Sequence, residues 1–273
     1  MWLTTFLVAP VVIYLIIAAI MFFAQTALIF PGTSVAPAGP PPPGTERLEL
    51  ASPSGHVLQG VHIPPTEGQA GNEKLLIVGF AGNASNAADA AEFLHQMFPE
   101  SDVAAFHYRG YAPSTGETGA AALQEDALLV HDHLRARLRP TRVVAVGMSI
   151  GSGVAAYLAG HRPLDGLILV TPFDSLAALS ASHYPWLPIR LLLRHRMEPV
   201  EDLRASHVPV AILSGGVDTT VPPARTEVLR RAIPNLVFSQ TFPQSGHNDI
   251  YDHPGFRPAI REALARLAAP SAE

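Results

Sequence analysis

Val143-Val144-Ala145-Val146-Gly147-Met148-Ser149-Ile150-Gly151 runs from an apolar, β-branched stretch into a G-x-S-x-G pentapeptide, and Val154-Ala155-Ala156-Tyr157-Leu158 continues with helix formers. A strand that passes through this pentapeptide into a helix makes a sharp turn, which holds a serine hydroxyl clear of the backbone. Flanking glycines permit close approach and strained dihedrals that a Cβ would block. The bare pentapeptide also fits an ordinary Gly-Ser loop; the strand before it and the helix after it favour the turn. Ser149 is therefore the candidate nucleophile.

Outward from this turn, strand-like and helix-like stretches alternate. The strand candidates are Arg47 to Leu50, Val57 to Val61, Leu75 to Phe80, Val103 to Phe106, Val143 to Val146, Leu167 to Val170, Val210 to Leu213 and Val237 to Ser239. Between them, Ala87 to Met97, Ala120 to Leu138 and Arg225 to Ile233 have helical length and apolar spacing. This order predicts an α/β fold with about eight strands, mostly parallel, helices on both faces and an antiparallel first pair.

In such sheets the reactive loops gather at the carboxyl ends of the strands. Ser149 follows its strand directly, Asp218 follows Val210 to Leu213 through Ser214-Gly215-Gly216-Val217, and His247 follows the last strand in Gln244-Ser245-Gly246-His247. His247 is the candidate base, and Asp218 the acid that would fix its tautomer and stabilise the imidazolium. Asp174 and Asp249 are competing acids, and Asp218 also suits a helix cap before Pro222-Pro223. An oxyanion hole needs two backbone donors, each worth about 3 kcal/mol in the transition state. The N–H of Ile150 is one candidate, and Asn83 in the loop after Leu75 to Phe80 is the other.

The first thirty residues carry no charged side chain. About twenty apolar residues span a bilayer core, so Leu3 to Phe23 is long enough, with Trp2 and Phe22-Phe23 suited to its interfaces. A cleaved signal peptide would have a basic start and a shorter apolar region, although Ala36-Pro37-Ala38 resembles a cleavage site. The expected organisation is an anchor over 1–30, a proline-rich linker over 31–46 and a catalytic domain over 47–273. The expected placement is an inside N-terminus and a periplasmic catalytic domain. Pro37 and Pro40 to Pro43 favour extended polyproline II, a semi-rigid spacer holding the domain off the bilayer.

Composition narrows the chemistry. The net charge of −5 gives no broad basic field for nucleic acid. The absence of cysteine excludes thiol catalysis, disulfides and cysteine-ligated zinc.

These pieces together resemble the membrane-anchored branch of the α/β-hydrolase superfamily, with its depalmitoylases, lysophospholipases and bacterial serine-aminopeptidase-like hydrolases. The resemblance covers the chain from about Ile29. It rests on Leu28-Ile29-Phe30-Pro31, Gly82-Asn83-Ala84, Tyr108-Arg109-Gly110-Tyr111 with Ser114-Thr115-Gly116, Gly147 to Gly151, Thr171-Pro172-Phe173-Asp174-Ser175, the Asp218 loop with Val221-Pro222, and Gly246-His247-Asn248-Asp249. It implies a serine hydrolase of acyl esters or thioesters, with no cofactor or metal, and supports Ser149, Asp218 and His247. Family members usually carry His-Gly where this chain has Ala81-Gly82, a departure next to the expected oxyanion donor.

Leu176 to Val200 is long for a simple connection and reads as a small cap over the pocket, or else as an ordinary helix packed on the sheet. Its apolar residues suit an acyl chain, and Arg190, Arg194 and Arg196 suit lipid phosphates. Trp186 within it and Tyr111 are candidate substrate contacts; Arg109 and Tyr111 also fit a structural turn. The expected partners are a small-molecule or lipid acyl ester, and the membrane through the N-terminal helix. A peptidase and a catalytically silent, membrane-tethered binding module remain alternatives.

Overall fold

Successive residues of the central strands take opposite faces, and each face has its own apolar cluster. The computed structural model describes residues 2–66 and 74–268, with side chains from residue 8 onward. Met1, the Trp2 side chain and the last five residues of the expected catalytic domain lie outside this description. Among the described residues, eight strands form one sheet: β1 (Glu46–Ala51), β2 (Val57–Ile63), β3 (Leu75–Phe80), β4 (Asp102–Phe106), β5 (Arg142–Met148), β6 (Gly166–Val170), β7 (Val210–Gly215) and β8 (Leu236–Phe242). Their order is β1-β2-β4-β3-β5-β6-β7-β8. The β1–β2 and β2–β4 pairs are antiparallel, and the remaining pairs are parallel.

Val143, Ala145, Leu167 and Leu169 join one cluster with α3 (Ala120–Leu138) and α4 (Ile150–His161). Their strand neighbours Val144, Val146, Ile168 and Val170 join the other, with α2 (Ala87–Met97) and α9 (Phe256–Ala268). Burial on both sides explains why these strands read as continuous β-branched runs instead of alternating ones.

α1 (Trp2–Ile29) precedes the sheet. Its Val8–Ile29 stretch has a mean hydropathy of 2.4 and is long and apolar enough to cross a membrane. The proline-rich stretch after it departs from the expected spacer, because it is tied along the domain. Val35 packs on the core, the Ala36 carbonyl accepts from Asn86 Nδ2 at 3.1 Å, and Gly39 N–H donates to Asp89 Oδ1 at 3.1 Å. Polyproline II leaves its backbone groups unpaired, so polar side chains at the start of α2 can take them. Farther back, a Cβ on Gly32 would lie 2.7 Å from the Gly110 carbonyl oxygen, so this glycine lets the linker press onto the Tyr108-to-Tyr111 turn.

Between β6 and β7 lie α5 (Leu176–His183), α6 (Ile189–Leu192) and α7 (Pro199–Arg204); α8 (Pro223–Ala232) follows β7. α7 packs on α4 at Gly160, where a Cβ would come within 2.8 Å of the Asp202 carbonyl. Burial pushes the Asp202 carboxyl up to about 6, against the pull of His161. Its Oδ2 has no hydrogen-bond partner among the described residues. The folded chain therefore holds a proton that the unfolded chain releases near 3.8. This favours folding below that pH and is lost as pH rises through about 6. The difference is worth at most about 3 kcal/mol, and partial exposure reduces it to about 1 kcal/mol. Asp202→Asn is accordingly expected to raise the melting temperature at pH 8 by a few degrees and to change it little at pH 4, measured by thermal unfolding at both values.

Candidate active site

Ser149 sits between β5 and α4 at φ 52° and ψ −120°, a positive φ that a residue with a Cβ rarely adopts. The surroundings hold it there. Ser149 N–H donates to the Val170 carbonyl on β6 at 2.9 Å, and its own carbonyl accepts from Ser152 N–H at 2.9 Å and Ser152 Oγ at 2.6 Å. The flanking glycines are required by close approach. A Cβ on Gly147 would lie 2.6 Å from the Gly151 carbonyl oxygen, and one on Gly151 would lie 2.2 Å from that of Phe80.

His247 Nε2 lies 2.8 Å from Ser149 Oγ, and His247 Nδ1 lies 2.7 Å from Asp218 Oδ2. The other carboxylate oxygen of Asp218 accepts from the N–H groups of Thr220 and Val221, both at 2.8 Å. With its side chain only 2% exposed, Asp218 is fixed in direction by its own loop. Gly215 lets that loop meet the histidine loop, since a Cβ there would sit 2.4 Å from the Ser245 carbonyl.

The competing acids are engaged elsewhere. Asp174 pairs with Arg225 of α8 at 3.1 Å. Asp249 Oδ1 accepts from Gly246 N–H at 2.6 Å, which shapes the turn carrying His247. That turn-forming role was not read from the sequence.

Ser149 and His247 open onto a cavity of about 440 Å³, lined also by Gly82, Asn83, Asp89, Phe93 and Tyr251. Its size is that of a small-molecule site. Ile150 opens α4, so its N–H has no partner within the helix, and the positive end of the helix faces the serine. Gly82 and Asn83 line the opposite wall; a Cβ on Gly82 would be 3.9 Å from the Ser149 Cβ. The Tyr108 hydroxyl donates to the Ala81 carbonyl at 2.8 Å and pins this loop. Burial holds the Tyr108 phenol well above its ordinary range, so it stays a donor. Burial likewise raises Tyr251 to about 12.

Three expectations require correction. Tyr111 does not line the cavity: it is 1% exposed and packs edge to face on Tyr108 with ring centroids 5.5 Å apart. Its companion Arg109 forms a buried ion pair with Asp126 on α3. Trp186 does not line the cavity either, nor does any other residue of α5 or α6. The insertion is thus no roof over Ser149; its buried residues Leu187 and Ile189 pack against Ala18 of α1. Ala36 of the linker and the loop from Gly82 to Asn86 form the wall instead.

No family model matches the chain. It is 34% identical over 253 residues to the uncharacterized protein Rv2307c of Mycobacterium tuberculosis, covering 91% of this chain and 87% of that one. It is 28% identical over 138 residues to the lysophosphatidylserine lipase ABHD12 of Danio rerio, covering 44% of this chain and 36% of that protein. Among solved structures, the Pyrococcus furiosus esterase PF2001 superposes with a TM-score of 0.67 at 17% identity, over 85% of this chain and 96% of the esterase. A parallel-cored eight-stranded sheet with the Ser149 turn after β5, together with these likenesses, establishes that the chain belongs to the α/β-hydrolase superfamily.

Proposed function

We propose that the protein is a membrane-anchored serine hydrolase that cleaves acyl ester or thioester bonds through an acyl-enzyme. The observation that carries this reading is the pair of short contacts from Asp218 to His247 and from His247 to Ser149, with Ser149 held at positive φ. In this reading His247 keeps its proton on Nδ1, facing Asp218, and Nε2 takes the proton of the Ser149 hydroxyl as Oγ attacks the acyl carbon. The oxyanion forms between the N–H groups of Ile150 and Asn83. His247 then returns the proton to the departing alkoxide or thiolate. Water repeats the sequence on the acyl-enzyme, releasing the acid and restoring Ser149.

The anchor belongs to the same proposal. α1 is supported as a retained element by its bonds to the domain: Gln25 Nε2 donates to the Leu192 carbonyl at 3.1 Å, and Thr26 Oγ1 lies 2.8 Å from His195 Nε2. The likeness to a lysophospholipid lipase favours an amphiphilic ester as substrate.

A second reading has one observation in its favour. Asp89 lines the cavity, so a carboxylate is available for a cationic group on the substrate, such as the free amine of a peptide. Measuring kcat/KM on matched acyl esters, acyl thioesters, lysophospholipids and aminoacyl amides separates the two. Esters are expected to exceed amides by about 10²-fold or more, an advantage of about 3 kcal/mol. Preference for aminoacyl amides, abolished by Asp89→Asn, would favour the peptidase instead.

A further inference from the structure

The turn between α5 and α6 exposes an apolar surface that the Ser149 site leaves unused. Trp186 is 50% exposed, Leu191 84% and Tyr184 40%. No Asp, Glu, Lys or Arg occurs from Ser175 to Ile189. The surface is continuous with α1. The Tyr14 hydroxyl donates to the Trp186 carbonyl at 3.1 Å, and the two rings meet edge to face with centroids 6.2 Å apart.

We propose that residues 184–189 are immersed in the membrane leaflet that α1 crosses, with the acyl-chain region of the bilayer covering their exposed face and the exposed Arg190 that follows them at headgroup level. This inference rests on α1 being a transmembrane anchor.

Three features of the structure carry it. The first is depth. With Trp2 and Phe22-Phe23 at the two interfaces, α1 rises ~30 Å between them, the thickness of a hydrocarbon core, and the polar Gln25 and Thr26 fall just outside it. The Arg194 guanidinium lies 5.1 Å from the centroid of the Phe22 ring, at the second interface. Tyr14 is eight residues back, so the Trp186 carbonyl is bonded ~12 Å inside it, slightly deeper than the ~5–10 Å of interfacial elements.

The second is polar satisfaction, which a lipid environment demands. Pro185 and Pro188 have no N–H. The N–H groups of Tyr184, Leu187, Ile189, Leu191, Leu192 and Leu193 donate to local carbonyls. α1 supplies two further bonds at the end of the turn: Gln25 Nε2 donates to the Leu192 carbonyl, and Gln25 Oε1 accepts from the Arg194 N–H at 2.7 Å.

The third is shape. An apolar cavity of about 150 Å³ lies between α1 and this turn, bordered by Met21, Leu28, Tyr184, Leu187 and Leu193. Hydrocarbon chains of the leaflet would fill it. Immersion also reaches the hydrolytic site, because His183 Nε2 lies 2.8 Å from the carbonyl of Thr220, in the loop that holds Asp218.

The chain has two tryptophans, Trp2 and Trp186. The test is full-length protein reconstituted in phosphatidylcholine vesicles containing lipids brominated at successive acyl carbons. Trp2→Phe isolates Trp186, and Trp186→Phe isolates Trp2. Trp186 is expected to emit at blue-shifted wavelength and lose about half its intensity to upper-chain bromines, as an element about 10 Å deep should. Quenching of Trp2 without quenching of Trp186 would overturn the immersion and leave the anchor intact. Quenching of neither would overturn the anchor, and the immersion with it.

Discussion

Ser149→Ala is expected to lower kcat on a short-chain acyl ester by about 10⁵ to 10⁶-fold, leaving only what the oxyanion donors and binding supply. The variant should fold, because the bonds that fix the turn come from Ser149 N–H and its carbonyl, which alanine keeps. Asp218→Asn is expected to cost about 10⁴-fold in kcat, since an amide facing Nδ1 favours the wrong imidazole tautomer. Asp174→Asn, which loosens an ion pair with Arg225, should act on stability instead. Steady-state kinetics with thermal unfolding on the three variants checks this pattern. Full activity in Ser149→Ala would remove the proposed nucleophile.

The second large effect concerns a side chain that is missing. Gly151→Ala places a methyl group 2.2 Å from the Phe80 carbonyl oxygen and 2.6 Å from that of Ala81. Both are backbone atoms at the end of β3, so no rotamer change relieves the contact. α4 must move away from β3, at a cost of about 3 kcal/mol or more. The same shift carries the Ile150 N–H away from its proposed place opposite Asn83. Melting temperature and kcat are therefore both expected to fall, the latter by about 10²-fold for one misplaced oxyanion donor. Gly39→Ala is the control: a Cβ there meets nothing among the described residues within 4 Å, and the N–H that bonds Asp89 is kept. Parent-like stability and rate in Gly151→Ala would show that the turn is looser than described.

The central strands were legible because burial on both faces makes them uninterrupted apolar runs, and the Ala87–Met97 and Ala120–Leu138 helices because their spacing is helical. Residue types and their place after β5, β7 and β8 singled out Ser149, Asp218 and His247. Choosing among Asp218, Asp174 and Asp249 required distances. Each follows a strand or turn in the sequence, and only the folded chain shows which carboxylate faces the imidazole.

Contacts across long separations were not legible. Tyr14 and Trp186 are 172 residues apart, and neither carries a local signal for the other. The insertion therefore read either as a roof over Ser149 or as a helix packed on the sheet, whereas Leu187 and Ile189 pack on α1 and Leu176 and Met197 join the core. The linker read as a spacer for a related reason: composition shows that a segment lacks internal structure, but not what binds its free backbone groups. Tyr111 misled because an aromatic beside Arg109 suggests recognition, whereas its neighbour in space is Tyr108 in the core.

An activated serine at position 149 is most directly tested by labelling the detergent-solubilised parent, Ser149→Ala and His247→Ala with a fluorophosphonate, then mapping the adduct by peptide mass spectrometry. The expected result is one phosphonylated residue, Ser149, in the parent, no adduct in Ser149→Ala and greatly slowed labelling in His247→Ala. A folded parent that takes no label, or takes it at another residue, would contradict the proposed hydrolytic site.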